Sequence, residues 1–282
     1  MKKTVALILL ILGILCLSFA GYNYMTKGND ESKENKEDKE NLNNKIEDES
    51  NSNDNDEKES DLSLDDPIVS MLSSKVIGIY TNDSVSLYND YFYKKDKVEL
   101  ANENMSFKLS LAMEKSNENI LKTDENNKVY IEEADVKEAY YSLYGKNANY
   151  VQATFTINPC NEFNWSSESN RYEKLQGEGA CGGATFGGTK SKLGYAKKII
   201  SENEEKVELY EYFFIIDGTP EDKEFKYYSD YNKTNLFATL DLTTIVDDNF
   251  FEKFKDQLGI YKYTFIKEEN ETYSFVTVEK VK

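Results

Sequence analysis

Histidine is absent from this 282-residue chain, and its absence excludes more chemistry than any other feature of the composition. Without histidine there is no Ser-His-Asp or Cys-His nucleophile, no histidine-ligated zinc and no imidazole general base. The Ser-x-x-Lys pattern of penicillin-binding proteins is also missing. These absences argue against sortases, papain-like wall hydrolases and most metallopeptidases. We therefore expect no enzymatic activity, no catalytic residue, no metal site and no cofactor.

Positive charge is scarce as well. Arg171 is the only arginine, and the net charge is −18. Residues 1–27 contribute +3, and residues 28–66 carry 16 acidic residues and five lysines, which leaves −10 for residues 67–282. An acidic domain is repelled by phosphate backbones, so the sequence predicts no nucleic-acid partner and no attraction to an anionic membrane surface.

Long apolar runs are limited to the N-terminal segment. Lys2 and Lys3 precede an apolar run over residues 5–20, and the residues that follow extend it to roughly the 20 needed to cross a bilayer. The lysines favour an N-terminus that stays inside. We expect residues 1–27 to be a membrane anchor or signal segment, with the rest of the chain outside the cell membrane.

Two other forms of processing leave that topology unchanged. The small residues at Ser18 and Ala20 form a possible signal-peptidase site, and cleavage after Ala20 would make the protein secreted. Lipoprotein processing at Cys16 is disfavoured because Leu15 is large for that motif. Export is expected in all three cases.

Residues 28–66 consist almost entirely of Asn, Asp, Glu, Lys and Ser. Such a segment buries too little apolar surface to offset the entropy of ordering. The sequence therefore predicts a disordered, charged linker over residues 28–66 and one extracytoplasmic domain over residues 67–282.

Within that domain, helical patterns come before strand patterns. Asp66 and Pro67 begin one helix, residues 102–115 favour a second, and residues 136–144 form a third that ends at Gly145. Alternation then predicts strands at 151–157, 193–201, 207–216, 223–229 and 236–242, a helix at 249–258 capped by Asp248, and a hairpin of 260–267 with 273–281. This order predicts an α+β fold, with N-terminal helices on a mainly antiparallel sheet and an extra helix before the C-terminal hairpin.

Two short patterns resemble ligand loops and do not meet their requirements. The glycine-rich run over residues 182–191 has the wrong spacing for a phosphate loop, so no nucleotide partner is expected. Asp124, Asn126 and Lys128 occupy calcium-loop positions, but Lys128 replaces an oxygen ligand and Val129 replaces the required glycine. Both patterns predict turns.

The aromatic content, 21 Tyr, 15 Phe and one Trp, is typical of strands and also of carbohydrate-stacking surfaces. Trp165 and Tyr172 are the possible binding residues. A cross-strand pair is the alternative that we favour for them.

Cys160 and Cys181 flank one segment of the exported part. A disulfide is the expected state of such a pair in an oxidising exterior, and it would stabilise by roughly 3 kcal/mol in the chain-entropy model. A reactive thiol is the alternative, but no histidine or arginine lies near either cysteine in sequence to lower its pKa.

The chain resembles uncharacterised exported, membrane-anchored proteins of low-GC Gram-positive bacteria and their relatives. The residues that carry this resemblance are the run over residues 150–157, Cys160 with Trp165, and Cys181 before a long hairpin. The strands at 261–265 and 275–279 fit that resemblance. It implies a cell-envelope location and the same disulfide, and it implies no activity.

The functional expectation is a cell-envelope protein that binds or scaffolds a component outside the membrane without catalysis. The cell wall or another surface component is the expected partner, besides the membrane itself. The alternative is a hydrolase that uses carboxylates on wall glycans.

Overall fold

A computed structural model describes residues 57–77, 91–114, 120–157, 161–175, 188–219 and 221–282. The anchor predicted for residues 1–27, most of the predicted linker, and both Cys160 and Cys181 lie outside the described residues. Residues 53–282 form one compact unit. Among the described residues, no helix is both long enough and apolar enough to cross a membrane.

The helices whose bounds lie within the described residues are α1 (Pro67–Val76), α2 (Met105–Glu114), α3 (Glu133–Tyr144) and α4 (Asp248–Phe254), with short 3-10 helices at Leu100–Asn102 and Lys255–Gln257. Residues 91–93 are helical as well. The strands are β1 (Lys58–Leu62), β2 (Lys97–Glu99), β3 (Lys122–Thr123), β4 (Val129–Glu132), β5 (Phe155–Ile157), β6 (Asn161–Ser166), β7 (Arg171–Lys174), β8 (Gly188–Ile200), β9 (Glu205–Asp217), β10 (Glu224–Tyr228), β11 (Leu236–Asp241), β12 (Gly259–Lys267) and β13 (Tyr273–Lys280).

These strands form two antiparallel sheets. The large sheet has the order β1-β8-β9-β12-β13-β2, and the hairpin β10–β11 joins it through the far end of β9. The small sheet has the order β3-β4-β7-β6-β5. Helix α3 contacts β13 of the large sheet and β4 of the small one, and α2 contacts β5. The helices therefore connect the two sheets.

The predicted fold class is wrong. Of the described residues, 42% are in strands and 26% in helices, and the helices do not form an N-terminal layer on one sheet. The error comes from the small sheet, whose strands are only two to six residues long. Strands this short show little alternation, so in this sheet only β5, which lies within the strand predicted at 151–157, has a clear β signal.

Strand β1 lies within the range 28–66 that the sequence assigns to a linker. All five of its residues pair with β8, from Lys58 opposite Ile200 to Leu62 opposite Ala196. Lys197 and Glu59 form an ion pair across this ladder at 2.5 Å. The folded part of the chain therefore begins earlier than Pro67.

Strand β9 contributes side chains to both faces of the large sheet. Its inner face carries Val207, Leu209 and Phe213, which are fully buried in the main core with α1, α2, α3 and the small sheet. Its outer face carries Phe214, which packs with Phe250 and other residues of α4 in a second, smaller core. Helix α4 covers the end of the outer face where Phe214 lies, and Tyr212 packs against the same core.

The sheet edges are protected in different ways. β5 ends the small sheet, and the backbone N–H of Thr156 there donates to the Ser110 hydroxyl of α2 at 2.9 Å. β11 contains a register shift opposite Tyr227 and Tyr228, and such bulges interrupt edge pairing. A polar side chain and a bulge thus take the place of neighbouring strands.

Candidate functional site

Trp165 and Tyr172 lie directly opposite each other on β6 and β7. Their rings meet edge to face, with centroids 5.2 Å apart. Tyr172 is fully buried, and its hydroxyl lies 2.7 Å from that of Tyr150. Because Tyr172 has no exposed ring face, a ligand cannot stack on it. The two residues form a cross-strand pair, with Trp165 half-buried beside it.

Asp124 closes a turn in the structure. Its carboxylate accepts the backbone N–H groups of Asn126 and Lys128 at 2.9 and 3.0 Å, and it pairs with Arg171 at 2.7 Å. These bonds lower the pKa of Asp124, the bond from Arg171 most of all. No group of three or more acidic or cysteine side chains that could hold a metal occurs among the described residues.

A cleft of about 410 Å³ lies between α1, α3 and the turn of the β12–β13 hairpin. Its walls are mainly apolar, and four charged side chains surround them. The lining residues are Met71, Lys75, Glu138, Tyr141, Ser142, Lys146, Glu271, Thr272 and Tyr273. This volume and polarity are typical of sites for small ligands or for side chains of a bound polymer.

Helix α1 positions the first wall. Asp66 caps the helix by accepting the backbone N–H of Ile68 at 2.8 Å. Leu72 and Val76, one turn apart, face the main core and are buried. Met71 and Lys75 precede them by one position, so they project beside the core into the cleft. Met71 remains 43% exposed, so its apolar side chain is accessible in the cleft.

Helix α3 and the hairpin form the opposite wall. Gly145 ends α3 at a φ of +83°, and a β-carbon at this position would overlap the side chains of Glu268 and Ser274. Only glycine combines that backbone angle with this close approach. The helix end therefore lies directly against the hairpin, and this contact places Tyr141 and Tyr273 in the same cleft.

Lys75 is the polar centre of the cleft. Its ammonium donates to the carbonyl oxygen of Ser142 at 2.6 Å, one of the last carbonyls of α3, where a cation is favoured by the helix dipole. Burial lowers the pKa of Lys75. An ammonium has three N–H donors, so two remain for a ligand.

These features describe a binding site more readily than a catalytic one. The cleft offers apolar contact along Met71 and Tyr141 and a fixed donor at Lys75. None of these residues is singled out by the sequence, because the cleft joins segments about 200 positions apart. The detectable signals were local: the glycine stop at Gly145 and an apolar residue outside the buried stripe of α1.

No protein family, curated protein or solved structure matches this chain. The function is therefore argued from the geometry alone.

Proposed function

We propose that the folded part of this chain is a non-enzymatic binding module displayed outside the cell membrane. The cleft between α1, α3 and the hairpin is its binding site, and the ligand is an apolar group that carries an anionic or carbonyl acceptor. The half-buried ammonium of Lys75, held at an apolar wall by Ser142, is the observation that carries the proposal. The cell wall or another surface component is the proposed partner.

The proposed topology follows from the N-terminal segment. Residues 1–27 anchor the chain with the N-terminus inside, or the protein is secreted if cleavage follows Ala20. A reporter that is active only outside the membrane, fused after Lys282, should be active. Activity of a cytoplasmic reporter at the same position would contradict this topology, and N-terminal sequencing of the mature protein separates anchor from signal peptide.

Anilinonaphthalene sulfonate, an apolar anionic dye, tests the cleft directly. Residues 53–282 should bind it with enhanced fluorescence. Lys75→Met should weaken binding about tenfold, because a charge-assisted hydrogen bond is lost. Lys253→Met is the matched control, since Lys253 also lies in the last turn of a helix, α4. Equal affinity of both variants would contradict the proposal.

The pH dependence has a defined sign. The lowered pKa of Lys75 means that its positive charge is lost at a pH below the ordinary 10.5 of lysine. Dye affinity should therefore fall as the pH rises towards 10.5, and Lys75→Met should remove that dependence. The same variant should leave the melting temperature unchanged or higher, because the folded protein no longer holds a charge against burial.

A hydrolase acting through carboxylates is the second candidate, because Glu138 and Glu271 both line the cleft. Glu271 pairs with Lys267 at 2.6 Å. Incubation with purified peptidoglycan separates the two functions. Co-sedimentation without soluble products supports binding, whereas fragments released by the native protein but not by Glu138→Gln would support the hydrolase.

A further inference from the structure

Three tyrosines lie together on the outer face of the large sheet, beside the second core. Tyr195 on β8 stacks on Tyr210, its direct partner on β9, with ring centroids 4.2 Å apart and planes 12° apart. Tyr212 lies 6.2 Å from Tyr195. Tyr210 is buried, with 8% of its surface exposed, whereas Tyr195 and Tyr212 are half-buried, so these two keep part of their rings accessible. We call these three residues the tyrosine face.

Gly194 makes room for this arrangement. It is the extra residue where the β8–β9 register shifts between Leu193 and Tyr195. A β-carbon at position 194 would overlap the ring of Tyr212. The ring therefore lies against the backbone of β8 and fills the space that a side chain would otherwise occupy.

Helix α4 forms a wall beside the tyrosine face. The next outward residue on β9 after Tyr212 is Phe214, which is fully buried against Phe250 and Phe251. Tyr212 packs against this same core and is half-buried, so it lies at the border between the covered and the open part of the outer face. The tyrosine face is therefore an aromatic surface that α4 borders on one side.

The charges around the tyrosine face are paired with one another. Lys262 lies between Glu208 and Glu279, at 3.3 and 3.4 Å, and Lys192 pairs with Asp248 at 2.6 Å. This surface is therefore close to neutral, although the chain as a whole has a charge of −18. Burial raises the pKa of all three tyrosines, so their hydroxyl groups stay protonated.

We propose that the tyrosine face binds an uncharged, extended polysaccharide. Tyrosine rings offer apolar faces for the C–H groups of pyranose rings and hydroxyls for their oxygens. The paired lysines and carboxylates supply further donors and acceptors without favouring a charged ligand. An antiparallel sheet surface is long and open, which suits a linear chain of sugars. This site is separate from the cleft, and it adds a second ligand to the binding function proposed above.

Calorimetric titration of residues 53–282 with hexasaccharides of N-acetylglucosamine and of glucose tests the proposal. At least one of these uncharged sugars should bind, and a heparin hexasaccharide, which is a polyanion, should not. Tyr212→Ala should weaken sugar binding about threefold to tenfold, the range expected for one aromatic contact. Gly194→Ala should act in the same direction, because it displaces the ring of Tyr212 while retaining every aromatic residue.

Two controls separate this site from the rest of the protein. Tyr228→Ala removes a half-buried tyrosine of the neighbouring strand β10, one position from Tyr227, which packs on the α4 side; this variant should bind sugar normally. Lys75→Met should also bind sugar normally, so failure of the cleft does not decide this proposal. The proposal is overturned if neither uncharged hexasaccharide binds, if heparin binds as well as they do, or if folded Tyr212→Ala and Gly194→Ala retain native affinity.

Discussion

Strand β9 carries a carboxylate on each face of the large sheet, and the two have similar first contacts. On the inner face, the Tyr263 hydroxyl donates to Glu211 at 2.6 Å. On the outer face, the Tyr210 hydroxyl donates to Glu208 at 2.5 Å. Glu211 is fully buried in the main core, whereas Glu208 also pairs with the partly exposed Lys262. Both pairs are buried, since Glu208 is only 7% and Tyr210 only 8% exposed. They differ because the outer carboxylate also has a cationic partner that solvent reaches.

The largest difference is expected when the carboxylates are removed. Glu211→Ala should lower the free energy of unfolding by about 3 to 5 kcal/mol, because it leaves a cavity and deprives a buried hydroxyl of its acceptor. Glu208→Ala should cost about 1 kcal/mol. Urea unfolding of both variants measures this, and Glu211→Gln is the control that keeps an acceptor. Equal losses would remove the distinction between the two faces.

Removal of the tyrosine hydroxyls should give the same order with smaller effects. Tyr263→Phe should cost about 1 to 3 kcal/mol, because it removes the hydroxyl donor from a buried carboxyl group. Tyr210→Phe should cost about 1 kcal/mol or less, since Glu208 keeps its contact with Lys262. If Tyr210→Phe proves the more costly change, then the outer pair contributes more to stability than the inner one.

Alkaline pH should affect both faces alike. Burial raises the pKa of Tyr263 far above the ordinary 10.0, and that of Tyr210 is raised as well. Above pH 10 the unfolded chain loses these protons while the folded chain retains them, so stability is complete below pH 10 and falls as the pH rises. Each tyrosine contributes up to about 1.4 kcal/mol per pH unit. Above pH 10, either Phe variant should make the free energy of unfolding fall less steeply with pH, by the contribution of one proton. An unchanged slope would show that the hydroxyl titrates normally.

The smallest effect is expected at Lys262. Lys262→Met removes an ion pair that solvent reaches, so it should cost less than about 1 kcal/mol. That cost should shrink further in high salt, because exposed pairs are screened. A cost that does not depend on salt would mean that Glu208 is desolvated in the same way as Glu211.

Elements defined by local signals could be predicted from the sequence. The predicted C-terminal hairpin corresponds to β12 and β13, and the helix that ends at Gly145 corresponds to α3. The ambiguous segment at 102–115 is helical, as α2. A glycine that ends a helix, an alternating strand pattern and a short turn each depend only on neighbouring residues. These predictions are therefore confirmed.

Elements defined by long-range pairing could not be predicted. Only Phe155–Ile157 of the strand predicted at 151–157 is extended in a ladder. β4 pairs with β7, about 40 positions away, and no local pattern encodes such a partner. The cap of α4 is Asp247 rather than Asp248, because both adjacent residues are suitable and only the tertiary fold selects one.

The candidate site follows the same rule. Lys75 bonds to a carbonyl 67 positions away, and the tyrosine face depends on the register shift at Gly194. The sequence named Trp165 and Tyr172 as possible binding residues and favoured a cross-strand pair for them, and the structure contains that pair. Packing made that pair a core contact and left other tyrosines accessible.

The position of Trp165 has a practical consequence for following unfolding. It is the only tryptophan of the chain, and it lies on β6 of the small sheet against a buried tyrosine. Emission excited at the red edge of the absorption band, where tyrosine does not absorb, therefore reports on the small sheet alone. Near-ultraviolet circular dichroism also includes the tyrosines of the large sheet, among them the stacked pair Tyr195 and Tyr210. If the two signals change at different denaturant concentrations, the sheets come apart in sequence; if they coincide, the helices between them make the whole unit one cooperative body.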